Sequence, residues 1–331
     1  MDRKPTIFAV AERAGVSIAS VSRVINGVSA NSANEQKIRQ AIADLGYQPN
    51  SAARALKVNA SEQICLALPD LSNPVFQAMT RGVQKGFKLS KYRLMLSPSL
   101  STTEEVVKQL KSLGKNYADG LIINALVIDE EVEELLLGLR IPVVLIGTST
   151  PNLRFDNVSV DSVLGAKNAV DYLFKTGRKK VLFLNGPWMT NPAKRRKEGF
   201  IKGMRNHGNK KPESLILNAK SFSAEGAYHA LNQVKKLNAF DAILCANDLL
   251  AAGTIKYLSE QKIDVPNDVA VIGIDNTDLA GLLNPTLTSV DFKAEFRGEM
   301  AAKFLLERIA EPSLPPRKLV VEPELVKRES A

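Results

Sequence analysis

From residue 63 onward one texture repeats along the chain: a short apolar run, then a longer amphipathic stretch, then another apolar run. The runs are "QICLALP", "YRLMLS", "DGLIIN", "IPVVLIG", "KKVLFLN", "SLILN", "DAILCA" and "VAVIGID". Their length and β-branched content read as strands, and residues 74–90, 102–117, 162–176, 192–207, 223–237 and 247–262 between them have helical length and period. Strand and helix in strict alternation predict parallel sheets covered by helices on both faces. The eight strands divide at about residue 160 into two groups of four, a weak internal repeat that predicts two similar lobes. Open sheets of this kind bind ligands beyond the carboxyl ends of their strands, so two facing lobes predict a cleft.

Residues 1–48 have a different texture. "TIFAVAERA", "IASVSRVIN" and "NEQKIRQAIADLG" read as three short helices, with Gly15, Gly27 and Gly46 at or near their ends. In "IFAVAERAGVSIASVSRVIN", Ala11 is small where two helices must cross, Gly15 makes the turn and Val21 packs back, which is the helix-turn-helix pattern. Ser17 suits the N-cap of the second helix. With Val21, Val24 and Ile25 inward, Ile18, Ala19, Ser22, Arg23 and Asn26 face outward as major-groove candidates. Arg23 can read a guanine edge bidentately, and Ile18 and Ala19 offer apolar contact to thymine methyls. Ser20, Ser22 and Asn26 are short hydrogen-bonding groups suited to phosphates, and Thr6, Ser17, Asn31 and Asn34 join them as phosphate candidates. The blander alternative is a small helical domain with a solvated arginine.

Charge supports the DNA reading. The net charge is +9 over 331 residues, and residues 1–60 hold eight Lys or Arg against four acids. That density suits a polyanion. No apolar run reaches the roughly 18 residues of a membrane span, and "MDRKPTIFAVAERAGVS" lacks a secretory h-region, so a cytoplasmic, nucleoid-associated protein without a membrane partner is expected. Cys65 and Cys245 sit in strand-like runs, where buried, reduced thiols are expected. Two histidines, His207 and His229, leave little from which to build a metal site, so no metal and no cofactor are expected.

Taken together, "TIFAVAERAGVSIASVSRVING", "AIADLGYQPNSAARALK", "PDLSNPVF", "CANDLLAAG", "VAVIGIDN" and "NPTLTSVD" resemble the lac-repressor family of bacterial transcription regulators, in order and over nearly the whole chain. The resemblance implies a helix-turn-helix headpiece (1–48), a hinge helix (49–61) and a two-lobed core of periplasmic-binding-protein type (62–331). Its N-lobe is expected at about 62–160 plus 292–321 and its C-lobe at about 161–291 plus 322–331. It also implies a homodimer on palindromic operator DNA. Helices 74–90 and 248–262 are the expected dimer face, and "PPRKLVVEPELVKRESA" holds no leucine heptads, so no tetramer is expected.

In the hinge, residues 50–58 are good helix formers, but so short a helix is marginal alone in water. The resemblance implies that two such helices pair in the minor groove and wedge Leu56 into the central base step. Asn50 and Ala53 then face the groove floor, with Arg54 and Lys57 on the backbone. Lobe closure on a ligand can then permit or forbid that pairing, whether as inducer or as corepressor. Two departures from the family stand out. "ANSANEQK" places Glu35 where an arginine is usual, which removes one phosphate contact, and Arg178 replaces a usual histidine.

The resemblance further places effector-binding residues at strand ends, Asn73, Phe76, Asp161, Arg196, Phe222, Asn247 and Asp275, and Trp188, just after "NGP" in the cleft-facing loop, is another stacking candidate. Carboxylates, an amide and an arginine match vicinal hydroxyls, and an aromatic ring matches a sugar's apolar face, so a sugar or sugar derivative is the expected effector. Positions with extra polar contacts in purine-binding members hold Thr190 and Pro192, which leans away from a nucleoside or purine corepressor. A sugar-binding protein of transport shares such a core but has no use for a basic headpiece. The sequence holds no Gly-rich phosphate loop, no Gly-x-Ser-x-Gly elbow and no metal-ligand cluster, so no enzyme and no catalytic residue is expected.

Overall fold

The computed structural model describes residues 5–25, 27, 32–48, 61–97, 102–112, 118–147 and 154–331. The chain separates into two compact units, Met1–Ser61 and Glu62–Ala331.

The first unit contains α1 (Ile7–Ala14), α2 (Ile18–Ile25) and α3 (Ser32–Leu45). Thr6 caps α1 by accepting the Ala9 N–H at 3.3 Å, and Gly15, at φ 64°, closes it in the left-handed conformation that glycine adopts without strain. Ser17 accepts the Ser20 N–H at 3.2 Å and starts α2. Val10, Ala11, Ala14, Val21, Val24, Ile38 and Ala41 form a private core, so three short helices that are marginal alone hold one another.

The second unit contains two six-stranded sheets. One is built from β1 (Gln63–Ala67), β2 (Arg93–Ser97), β3 (Gly120–Ile123), β4 (Val143–Ile146), β5 (Asp156–Val160) and β11 (Lys318–Val321), ordered β11-β5-β4-β3-β1-β2. The other is built from β6 (Val181–Asn185), β7 (Ile216–Asn218), β8 (Ala242–Cys245), β9 (Ala270–Asp275), β10 (Thr288–Asp291) and β12 (Glu324–Val326), ordered β12-β10-β9-β8-β6-β7. All pairings are parallel except β10 with β12. The expected two groups of four are therefore two groups of six among the described residues. Of the four further strands, β5 and β10 are rich in polar residues, as "DNVSV" and "TSVD", and β11 and β12 are only four and three residues long.

The covering helices are α4 (Pro74–Phe87), α5 (Thr103–Ser112), α6 (Glu130–Gly138), α7 (Ser162–Lys175), α8 (Asn191–Asn206), α9 (Ala224–Leu231), α10 (Asp248–Glu260) and α11 (Ala294–Ala310). The chain passes between the sheets three times, after β5, after β10 and between β11 and β12, so α11 follows a strand of the second sheet but packs on α4 of the first. That packing is close. A Cβ on Gly82 would come within 1.8 Å of the Glu295 carbonyl oxygen, and one on Gly298 within 2.2 Å of the Met79 carbonyl oxygen. Cys65 and Cys245 are free and buried, and burial pushes their thiols up to about 11 and about 12, leaving inert core groups.

Candidate functional site

In the first unit, α2 turns Val21 and Val24 inward and leaves Ile18, Ala19 and Arg23 exposed, with Ser20 and Ser22 half-buried. One short helical face thus carries a guanidinium and two apolar groups, the mixture that reads base edges in a major groove. Ser17 and Ser20 share a hydrogen bond at 3.0 Å, and Thr6 and Ser17 both spend an oxygen lone pair on a helix N-terminus. Asn34 is half-buried beside Glu35, and Glu35 accepts Arg39 Nε at 3.0 Å and Nη2 at 2.7 Å, so the unusual acid also occupies a neighbouring cation. Asn26, Asn31, Asn50, Ala53, Arg54, Leu56 and Lys57 lie outside the described residues.

In the second unit, a cavity of about 730 Å³ opens between the two sheets at the carboxyl ends of their strands, large enough for a small metabolite. Seven of the eight expected effector residues line it. Asn73 is buried and caps α4 through Oδ1, which accepts the Val75 N–H at 3.1 Å, and Phe76 follows it on the wall. Asp161 sits where the chain leaves β5, and one of its oxygens accepts the N–H groups of Val163 and Leu164 at 3.1 and 3.0 Å. This leaves its second oxygen for a ligand.

Arg196 is the centre of the opposite wall. It is buried on α8, donates Nη2 to Asp275 Oδ1 at 3.2 Å and Nη1 to the Ala246 carbonyl, and holds its Nε buried without a partner among the described residues. Its guanidinium stands 5.2 Å from the Phe292 ring and 5.9 Å from the Phe222 ring. Burial works to lower the arginine's pKa and to raise that of Asp275, and the attraction between them opposes both shifts. Asp275 ends β9 at φ 114°, a backbone strain held by the surrounding packing. Phe222 leans over Gly186, where a Cβ would come within 2.1 Å of its ring.

Three expectations change. Trp188 is not on the cavity wall but 64% exposed, because Pro187 to Thr190 form a tight turn, with Thr190 N–H donating to the Pro187 carbonyl at 3.0 Å, that throws Trp188 and Met189 to solvent. Asn247 reaches the cavity, yet its Oδ1 accepts the Leu250 N–H at 2.9 Å and its Nδ2 donates to the Phe222 carbonyl at 3.2 Å, so it shapes the wall first. Thr190 is likewise consumed, donating to the Pro187 carbonyl and accepting the Ala193 N–H. Arg178, the substituted position, pins the loop at 266–268 through backbone carbonyls, far from ligand chemistry.

Sequence reading missed Phe292 and Arg297, which complete the wall. Arg297 lies on the buried stripe Ala294, Arg297, Gly298, Ala301 of α11, and a charge at that helical spacing is the signal that could have found it. Behind the wall, Asp248 is buried and accepts the Thr277 N–H at 2.7 Å, the Thr277 hydroxyl at 2.9 Å and the Ser289 hydroxyl. Burial nevertheless pushes its carboxyl up to about 7. Among the described residues no cluster of His, Cys, Asp or Glu could hold a metal ion, and no helix is long and apolar enough to cross a membrane.

Comparison with known proteins gives the same two parts. Residues 6–50 match the bacterial regulatory proteins of the lacI family, and residues 170–331 match a periplasmic binding protein-like domain. The chain is 32% identical over 326 residues to the HTH-type transcriptional regulator RegA of Clostridium saccharobutylicum, covering 97% of each protein. It is 29% identical to the ribose operon repressor of Escherichia coli K12, covering 98% of this chain and 99% of that one. A solved structure of the lac repressor dimer bound to operator and an anti-inducer superposes with a TM-score of 0.85 at 25% identity, covering 99% of both chains. A basic helix-turn-helix joined to a two-sheet core with a ligand-sized cleft, matched over its whole length by such proteins, belongs to the lacI family of bacterial regulatory proteins.

Proposed function

We propose that this protein is a transcriptional repressor that binds a palindromic operator as a homodimer and is controlled by a carbohydrate in the interlobe cleft. The observation that carries the proposal is the cleft wall itself: the buried Arg196–Asp275 pair, the open oxygen of Asp161 and the Phe222 ring converge on one cavity. Carboxylates and a guanidinium bind vicinal hydroxyls, and an aromatic ring takes the apolar face of a sugar. The similarity to a ribose operon repressor supports the same class. Thr190, already spent on its own turn, offers nothing to a nucleobase, which favours the sugar over a purine corepressor.

On this reading Arg23, Ile18 and Ala19 read bases, Thr6, Ser17, Ser20, Ser22 and Asn34 hold phosphates, and Leu56 is the minor-groove wedge. The lobes divide at 160/161, 291/292 and 321/322, and the dimer face runs along α4 and α10. Arg81 on α4 meets Asp278 of the second sheet's lobe at 3.3 Å, and Leu89, just after α4, and Leu282, four residues after Asp278, are exposed apolar groups that a second copy would cover.

A deletion of residues 1–60 tests the division of labour. The truncated protein is expected to lose operator binding in a fluorescence anisotropy titration while keeping its melting shift with sugars. Retained operator binding sinks the headpiece assignment. A melting shift with hypoxanthine or guanine and none with any carbohydrate sinks the ligand assignment.

A further inference from the structure

The cleft wall sets two buried guanidiniums against one buried carboxylate, Asp275, whose charge acts on both. Arg196 and Arg297 are both buried, 8% and 5% exposed, and both line the cavity. Asp275 is bonded to Arg196. Arg297 spends Nε on the Phe292 carbonyl at 2.8 Å, and its two terminal nitrogens make no hydrogen bond or ion pair with any described residue. The other carboxylates of the wall do not pair with Arg297 either: Asp70 is bonded to Ser72, and Asp161 holds the start of α7 with one oxygen and keeps the other open to the cavity. Lys194 and Lys318 at the cavity rim add to the same sign, whereas Arg195 is paired with Glu198 at 2.9 Å.

A guanidinium out of bulk water with open donors is costly unless an anion meets it. Arg297 is the one charged residue on a buried helix stripe otherwise made of Ala294, Gly298, Ala301, Ala302 and Leu305. Resting on the carbohydrate reading of the cleft, we propose that the effector carries a negative charge, as a sugar acid or a sugar phosphate, and that Arg297 is the residue that pairs with its anionic group. The planar fork of an arginine matches both carboxylate and phosphate oxygens. Asp161, Asp275 and Arg196 then take the hydroxyls, and the Phe222 and Phe292 rings take the apolar face. The specificity of the site is divided accordingly: Arg196 recognises a sugar, and Arg297 recognises an acidic one.

The test uses the full chain, thermal melting and isothermal titration. D-gluconate, D-glucuronate, D-glucose 6-phosphate and D-ribose 5-phosphate are compared with D-glucose, D-ribose and inorganic phosphate. At least one acidic sugar is expected to raise the melting temperature and to bind at least tenfold more tightly than its neutral parent, with inorganic phosphate alone inert. Binding confined to the carboxylates or to the phosphates names the source of the charge. R297Q is expected to lose at least thirtyfold affinity for that ligand, with R297K losing less. Should R297Q fail to fold, the wild-type preference for the acid over its parent and the intermediate affinity of R297K carry the test. Neutral sugars binding as tightly as their acids, no acidic sugar binding at all, or R297Q binding the acid like wild type overturns the proposal. The first of these leaves the carbohydrate reading standing, whereas a nucleobase binding in place of every sugar removes both.

Discussion

Arg196 Nη2 lies 3.2 Å from Asp275 Oδ1, tying the first turns of α8 to the last residue of β9 across the floor of the cleft. Both side chains are buried, so the pair is at once a structural strut and the polar surface a ligand meets. Removing one member leaves an uncompensated buried charge. D275A is expected to lower unfolding free energy by about 3–5 kcal/mol and to abolish the sugar-dependent melting shift. Urea denaturation followed by a ligand titration checks both, and a variant with wild-type stability would show that the pair is not the strut described.

The pH dependence of stability should carry a mark of Asp248. Its folded pKa is pushed up by burial to about 7, while the unfolded value is near 4. The folded state therefore holds a proton that the unfolded state releases, and the contribution is fully present below about pH 4, declines as pH rises and is lost above about pH 7. D248N mimics the protonated acid, so its stability relative to wild type should rise between pH 5 and pH 8. Parallel curves for the two proteins would count against the buried proton.

Asp156 works in the opposite direction. Its burial favours the neutral acid, but hydrogen bonds from Arg317 and Arg308, at 2.9 and 3.0 Å, win and hold its pKa below the ordinary range. Its contribution is present above about pH 4 and is lost as pH falls through the depressed folded value. D156N should destabilise the protein at pH 7 by about 3 kcal/mol and narrow the gap to wild type in acid. Denaturant titrations at pH 7 and pH 3.5 decide it.

Close helix packing sets the cost of one methyl group. G82A places a Cβ within 1.8 Å of the Glu295 carbonyl oxygen, a backbone atom that α11 cannot withdraw without moving as a whole. A loss of about 3 kcal/mol is expected. G138A, with open space around its Cβ position and an ordinary φ, is the control that should cost nothing; equal melting temperatures for the two variants would refute the packing account.

DNA binding separates two kinds of contact. R23A should lose about 1–3 kcal/mol on the specific operator and relax preference at one base position. L56A, outside the described residues, should weaken specific binding far more than nonspecific binding, because only a fitting central step accepts a wedge. Anisotropy titrations on operator and scrambled duplexes read both, and equal losses on the two DNAs for L56A would make the segment a tether.

Much of this was legible in the sequence because periodicity reports burial. Runs such as "DAILCA" and "VAVIGID" became central strands buried on both faces, and the helix-turn-helix spacing placed Val21 inside and Arg23 outside. The edges were not legible: β11 and β12 are only four and three residues long and almost wholly exposed or half-buried, so they look like loop. Trp188 was misplaced because an aromatic residue in a cleft-side loop suggests stacking, whereas its orientation is set by a backbone turn that composition does not encode. Arg297 was passed over for the opposite reason, since a charged residue within an amphipathic helix reads as solvated until the helix is seen to be buried at that stripe.

The three passages between the sheets bear on how such proteins can be recombined. Neither lobe is a single stretch of chain, because α11 and β11 return to the first sheet after the second has nearly been completed. A chimera that exchanges one sensing lobe for that of a relative must therefore be cut near Asp161, Phe292 and Glu322 together. A one-junction fusion anywhere in the core instead mixes halves of two hydrophobic interiors. Only the junction after the headpiece, near Ser61, can be crossed by a single cut, so new operator specificities should be much easier to graft than new ligand specificities.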